Sequence, residues 1–420
     1  MTSMPIPSFM ALLTLGLLPI AALAVEVAEP FTDGMILQRE ARVCVWGTGQ
    51  PGEKIEISFG QQLLKTKASA NGNWRAYLEP MPASSVSRKL EVRGTNTIRL
   101  SNVPVGEVWL AGGQSNMGSK LKEYPELAFR EVPKADHPEL RFFTVAKRKT
   151  ADQSAVPTMW IGCSPETVDD ISATAYFFGR ELHEHFDVPV GVIVCAWGGT
   201  MAENWISRDL LLSSDETAPI VHRYDNKWTA HEGEANYRAK LVAHQQLLTE
   251  WKAKRQAGER PGVRPKEPMG PEHFQRPAGL YESMFRPIAK VTVRGIIFYQ
   301  GESNVIDGRA YQYRYLLPLL VQQWRTDLDA EVPFLAVQLP TASAAGEDSR
   351  ISVGSLQESS EMRNGSRDRA WRAQSTPSKV QSRGRQAARR SRSREGLWRI
   401  DGLSGTALSK SKNQRQSYHP

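Results

Sequence analysis

Cysteine is scarce in this sequence: Cys44, Cys163 and Cys195 are the only three in 420 residues. So few, widely spaced and odd in number, they exclude a disulfide-stapled scaffold and a zinc or dithiol redox pair. Cys195 closes the apolar run VGVIVCA and reads as a small buried hydrophobe. Long apolar runs are missing as well. The longest, Phe9 to Ala24, ends in Ala22-Leu23-Ala24 and is too short for a membrane span, which matches the core and cleavage site of an export signal. Residues 1–24 are therefore expected to be removed on export to a periplasmic or secreted location, leaving no membrane span.

Net charge is absent from most of the chain. The formal charge is +8, yet residues 341–420 hold 16 Lys and Arg against 7 Asp and Glu, leaving 37 against 38 for residues 1–340. A neutral body with no basic stripe argues against nucleic acid as a partner. The last 80 residues contain 16 serines and only nine Val, Ile, Leu, Met or Phe, with arginine runs such as SRGRQAARRSRSR. Such a segment buries too little apolar surface to offset its ordering entropy and is expected to be disordered. Two explanations of it stand open: a natural basic tail, or translation out of frame from near Pro340 in place of a final strand and helix.

What is present changes character along the chain. From Val25 to about Val105 short alternating segments such as KIEISF, WRAYL, KLEVRG and NTIRLSNV predict a small β-sandwich, and the Asn71-Gly72 turn before WRAYL predicts a hairpin. From Val105 to Pro340 the rhythm is strand, glycine turn, helix. VGEVWLA, VPVGVIVCA, GIIFY and VPFLAVQL read as buried strands. ISATAYFFGRELHEHF places Ile171, Ala175, Phe178, Leu182 and Phe186 on one helical face, and AYQYRYLLPLLVQQW reads as a helix that tolerates Pro318. Alternation of this kind predicts a parallel sheet covered on both faces, with a polar helical insertion over 213–279.

Three motifs fall where predicted strands end, the place where open parallel sheets hold ligands. LAGGQSNMG, Leu110 to Gly118, sets Ser115 after a glycine turn, where free backbone N–H groups could stabilise an oxyanion; a helix-capping serine is the plainer alternative. Trp197-Gly198-Gly199-Thr200 follows VGVIVCA and could offer the Gly199 N–H without an obstructing side chain. Tyr299-Gln300-Gly301-Glu302-Ser303-Asn304 follows GIIFY; Gln300 could donate its amide to the same oxyanion, and Glu302 could orient a partner or bind substrate.

GGQSNM, WGGT and YQGESN, in this order, closely resemble the sialate O-acetylesterase family of SGNH-type hydrolases. The likeness extends through FTDGMILQRE, VCVWGTGQPGEKIEISF, YFFGREL and GLYESMFRPIAK, over residues of about 27 to 340. The resemblance implies an SGNH/flavodoxin-like α/β/α hydrolase domain (106–340) behind a β-sandwich domain (25–105). It also implies removal of acetyl groups from a sugar or polysaccharide without metal or other cofactor. Ser115 would be the nucleophile, with its own N–H, the Gly199 N–H and the Gln300 side chain as oxyanion hole. Gln114, Asn116, Trp197, Glu203 and Glu302 would support the site or bind substrate, and Trp205 is a further candidate for the sugar side, core packing being the alternative for both tryptophans.

One departure stands out. The family pattern includes an Asp-x-x-His near the C-terminus, and none of the eight histidines here, His137, His183, His185, His222, His231, His244, His273 and His419, has aspartate three residues before it. A binding-competent but non-catalytic remnant of such an esterase is therefore the competing expectation. A nucleic-acid protein would rest on the basic tail alone.

Overall fold

The structure, a computed structural model, describes residues 24–153, 158–231, 233–305 and 309–339. The export-signal run, apart from Ala24, and the serine- and arginine-rich tail lie outside these residues.

The N-terminal strands form two facing sheets. β1 (Glu26–Val27), β3 (Val43–Thr48) and β6 (Asn73–Leu78) make one. β2 (Leu37–Gln38), β4 (Lys54–Phe59), β5 (Gln62–Lys67), β7 (Ser84–Arg93) and the first half of β8 (Thr97–Gly113) make the other. Period-two alternation places Val43, Val45, Trp74, Leu78, Ile55, Ile57, Phe59, Leu90 and Val92 between them, all buried. The expected hairpin is displaced. Asn71-Gly72 does not close a ladder between β5 and β6, because β5 pairs with β4 and β6 with β3. Gly72, at φ +77°, instead turns the chain from one sheet to the other, and the two-residue hairpin is at Gly60-Gln61.

β8 runs through Val105 without interruption. Its second half is the centre of a sheet ordered β10 (Ile161–Cys163), β9 (His137–Thr144), β11 (Val190–Ala196), β8, β12 (Gly295–Tyr299), β13 (Phe334–Ala336). All pairs except β9 with β10 are parallel. Alternate residues of these strands enter opposite cores. Leu110, Ile193, Cys195, Phe298 and Phe334 pack with Leu316, Leu320 and Trp324 from the helix near the C-terminal end of the described chain. Trp109, Ala111, Val192, Val194 and Ile297 pack on the other face with Ala175, Phe178 and Leu182. The protein is thus a three-layer α/β/α unit preceded by a β-sandwich.

The helices are α1 (Ser115–Gly118), α2 (Pro125–Glu131), α3 (Ala173–Phe186), α4 (Arg208–Leu212), α5 (Ala218–His231), α6 (Gly233–Gln256) and α7 (Tyr313–Asp327). α3 begins where Ser172 Oγ accepts from the Ala175 N–H at 3.1 Å, and ends at Asp187 in the left-handed region, φ +52°. α7 keeps Pro318 inside it and buries Leu316, Leu317, Leu320 and Trp324.

Glu107 ties the two halves of β8 to their surroundings. It is 2% exposed and paired with both Arg39 and Arg294. Glu107→Ala is expected to lower stability by about 2 to 3 kcal/mol, since two guanidinium groups lose their carboxylate while only partly exposed. Chemical denaturation of the variant beside Glu107→Gln measures this, and a loss below ~0.5 kcal/mol would contradict it.

Candidate active site

The three motif loops leave adjacent strands at the same level. Gly113 on β8 is in register with Ala196 on β11 and Tyr299 on β12. The Trp197 N–H donates to the Gly113 carbonyl at 3.1 Å, and the Gln114 N–H donates to the Tyr299 carbonyl at 3.0 Å. Strands β9 and β11 lie to one side of β8 and β12 and β13 to the other, so the loops open at the point where strand order reverses. Gly113 has φ +145°, and a Cβ there would overlap the Tyr299 carbonyl oxygen. A Cβ on Gly112 would fall 2.7 Å from the Trp324 ring. The glycine pair is what this close strand contact demands.

Ser115 opens α1 with its side chain exposed and, among the described residues, without a hydrogen-bond partner. It is not a capping serine: Gln114 occupies the N-cap position and makes no side-chain cap bond. α1 is pinned from behind, as Met117 is fully buried and its carbonyl accepts from Ser172 Oγ at 2.6 Å, while the Asn116 carbonyl accepts from Thr174 Oγ1 at 2.6 Å. Gly198 packs on the serine, where an added Cβ would lie 3.3 Å from Ser115 Cβ. Gly199, φ +78°, accepts at its carbonyl from Gln275 Nε2, and its N–H has no acceptor among the described residues.

Gln300 is drawn to the same place but faces inward. It is 3% exposed, and Nε2 donates toward Asn304 Oδ1 at 2.7 Å, the Thr200 carbonyl at 3.2 Å and Gln114 Oε1 at 3.3 Å. Two hydrogens thus serve three acceptors, and the bond to Gln114 is the longest. Asn304 Nδ2 donates to Glu203 Oε2 at 2.8 Å, and Asn304 Oδ1 accepts from the Ala202 N–H at 2.9 Å. This chain joins the loops after β8, β11 and β12 behind the serine.

Glu203 belongs to that buried chain and is itself 3% exposed, so it lines no sugar crevice. Trp205 is fully buried, with Nε1 donating to Thr200 Oγ1 at 3.1 Å. Burial pushes the Glu203 carboxyl above the usual carboxylate range, against the opposing pull of the Asn304 amide. A folded-state pKa raised above the unfolded one means that the folded form holds the proton longer, so the stability it contributes is present below the unfolded value, 4.5, and is lost as pH rises through the folded value. Glu203→Gln is therefore expected to raise Tm relative to the parent at pH 8 and to lose that advantage at pH 4. Thermal melts across this range decide it, and a pH-independent difference would count against it.

Glu302 stands beside the serine loop and accepts from Asn116 Nδ2 through Oε1. Its Oε2 is buried without a partner among the described residues, and burial pushes its pKa up, opposed by the Asn116 amide. Trp197 is half-buried and stacked on Phe274, ring centroids 5.2 Å apart at 16°. Among the histidines, His183 is held by the Val188 carbonyl through Nδ1 at 2.8 Å, beyond the C-terminal end of α3, and His185 is exposed. His273 adjoins Phe274, but its Nδ1 accepts from the Gln275 N–H at 3.1 Å. In the neutral ring this leaves Nε2 protonated, a donor rather than a base. Among the described residues no group of three His, Cys, Asp or Glu could hold a metal ion.

Sequence reasoning missed Asn304 as the hub of the buried chain and Phe274 and Gln275 as neighbours of Trp197 and Gly199. Asn304 closed a motif already singled out. Phe274 and Gln275 carry no local signal, since they reach the site from some 75 residues away.

Together the fold and the converging loops define a three-layer α/β/α domain with the SGNH-type fold behind an N-terminal β-sandwich. A family model described as carbohydrate esterase, sialic acid-specific acetylesterase, matches residues 105–230 and 269–374, more than half of the chain, and the chain belongs to that family. The second matched segment extends past Pro340, beyond the likeness legible in the residues themselves. The chain is 25% identical to a mouse sialate O-acetylesterase over 336 residues, covering 73% of this chain and 57% of the relative. It is 26% identical to the human sialate O-acetylesterase over 326 residues, covering 73% and 54%. It therefore spans somewhat more than half the length of these curated relatives. A crystal structure of a carbohydrate acetylesterase from Xanthomonas citri matches with a TM-score of 0.61 at 26% identity, covering 80% of this chain and 66% of the other. No helix among the described residues is long and apolar enough to cross a membrane.

Proposed function

We propose that this chain hydrolyses O-acetyl esters on sugars through an acetyl-Ser115 intermediate. The observation that carries this reading is the convergence of the Ser115 hydroxyl with the N–H groups of Ser115 and Gly199, none of them partnered among the described residues, on loops held level by the Gly113 register. Ser115 Oγ attacks the acetyl carbonyl, the two N–H groups receive the oxyanion, and the sugar hydroxyl leaves with a proton; water then releases acetate. Gln300 becomes a third donor by giving up its two longest contacts, to Gln114 Oε1 and the Thr200 carbonyl, and keeping the one to Asn304. The Oε2 of Glu302, without a partner among the described residues, is suited to hold a general base in orientation. In this reading residues 106–340 carry the chemistry, the sandwich supports β8, and the protein acts after export.

The sequence has no Asp-x-x-His, and this favours a second reading in which the crevice binds acetylated sugar without turnover. Acetate release from O-acetylated sialic acid and from an acetylated neutral sugar separates the two. Release that disappears in Ser115→Ala supports the esterase. Saturable binding without release supports the remnant.

A further inference from the structure

Gly199 is held by a residue from outside the three motif loops. Its φ of +78° lies where glycine moves with little steric restraint, and a Cβ built there would meet only the Gln275 amide within 4 Å. Packing therefore does not fix this turn. Its ends are secured, since the Trp197 N–H donates to the Gly113 carbonyl at 3.1 Å and Thr200 Oγ1 donates to the Trp197 carbonyl at 2.7 Å. Between those ends, among the described residues, the bond that reaches Gly199 is the one from Gln275 Nε2 to its carbonyl.

Gln275 is itself fixed by the limb that carries it, which returns from the helical insertion along the loop after β11. Phe274 stacks on Trp197, and Asn204 Nδ2 donates to the Gln275 carbonyl at 2.8 Å and the Arg276 carbonyl at 3.2 Å. The Ala278 N–H donates to the Glu203 carbonyl at 2.9 Å. The Gln275 N–H donates to Nδ1 of His273, a buried ring, at 3.1 Å. Asn204 also accepts from the Met201 N–H through Oδ1 at 2.6 Å, so limb and loop share one anchor. A side chain whose backbone is committed on both sides, and which is half-buried, loses little further freedom on reaching Gly199.

We propose that Gln275, braced by Phe274 on Trp197, is a positioning residue that sets the Gly199 turn so that its N–H faces the oxyanion. This rests on the esterase reading above and deepens it. Holding the Gly199 carbonyl fixes the peptide that follows it, and with it where the glycine nitrogen lies relative to Ser115. The insertion then contributes to the chemical step through one amide, without touching substrate.

The test measures acetate release from O-acetylated sialic acid by the parent, by Gln275→Met, which keeps the length but has no donor, and by Gln275→Glu. In Gln275→Met kcat is expected to fall about tenfold to a hundredfold with KM within about twofold of the parent, as for a misplaced oxyanion donor. A loss confined to KM, or none, would overturn the proposal. In Gln275→Glu the ratio of its kcat to the parent's is expected to rise as pH falls from about 8 to about 5, because a protonated carboxyl regains a donor; a flat ratio counts against it. Absence of turnover in the parent would sink the esterase reading alone, and the clamp is then decided by the NMR order parameter of the Gly199 amide. It is expected near 0.85 in the parent and below about 0.6 in Gln275→Met, the ranges of rigid and flexible backbone. Equal values in the two proteins would contradict the clamp.

Discussion

Ser115→Ala is expected to lower acetate release from O-acetylated sugars by at least about a thousandfold, with the folded structure intact. The side chain is exposed and makes no hydrogen bond among the described residues, so its removal costs none of the contacts described here. Met117, Ser172 and Thr174 hold α1 through buried packing and backbone carbonyls that the substitution leaves alone. In the proposed reading the oxyanion donors, two backbone N–H groups and the Gln300 amide, survive as well. What would disappear is the proposed nucleophile, and with it the covalent route; the remaining donors and binding contacts would supply only residual acceleration. A melting curve like the parent's together with abolished release is the expected pair of results. Release within tenfold of the parent would mean that another group does the chemistry.

Gly113→Ala is expected to be the most damaging single-methyl change in the site. Its Cβ would meet the Tyr299 carbonyl, and that carbonyl already accepts the Gln114 N–H at 3.0 Å. The φ of +145° adds backbone strain for any side chain. Strain and overlap together are expected to cost on the order of 3 kcal/mol or more, because a shift of β12 is the main relief. That shift would also move Gln300, one residue beyond Tyr299, away from Gln114. The same substitution at Gly199 meets only the Gln275 amide at 4.0 Å, so it should carry strain but no overlap. Denaturant midpoints of the two variants compare them directly. A Gly113→Ala protein as stable as Gly199→Ala would refute the register described here.

Much of this architecture is legible in the residues because a parallel sheet covered on both faces writes itself as unbroken apolar runs. VGVIVCA and GIIFY became β11 and β12, and the apolar stripe of ISATAYFFGRELHEHF became α3. The three loops could be found for a similar reason, since glycines at strand ends mark where backbones must approach. Other features depend on what meets in space. β8 passes from one sheet to another through Asn102, at φ +56°, and Pro104, a pair that reads as a break. The Asn71-Gly72 dipeptide fixes a turn but not which strands it joins. The inward direction of Gln300 and the burial of Glu203 follow from Asn304, a partner that only the folded chain brings within reach.

The central claim is that the Ser115 hydroxyl is a nucleophile facing backbone donors. The most direct test is labelling with a fluorophosphonate probe followed by peptide mass mapping. The expected result is a single adduct on the peptide that carries Ser115, lost in Ser115→Ala and blocked by prior acetylated substrate. Labelling at another serine, or none on a folded and correctly melting protein, would contradict it.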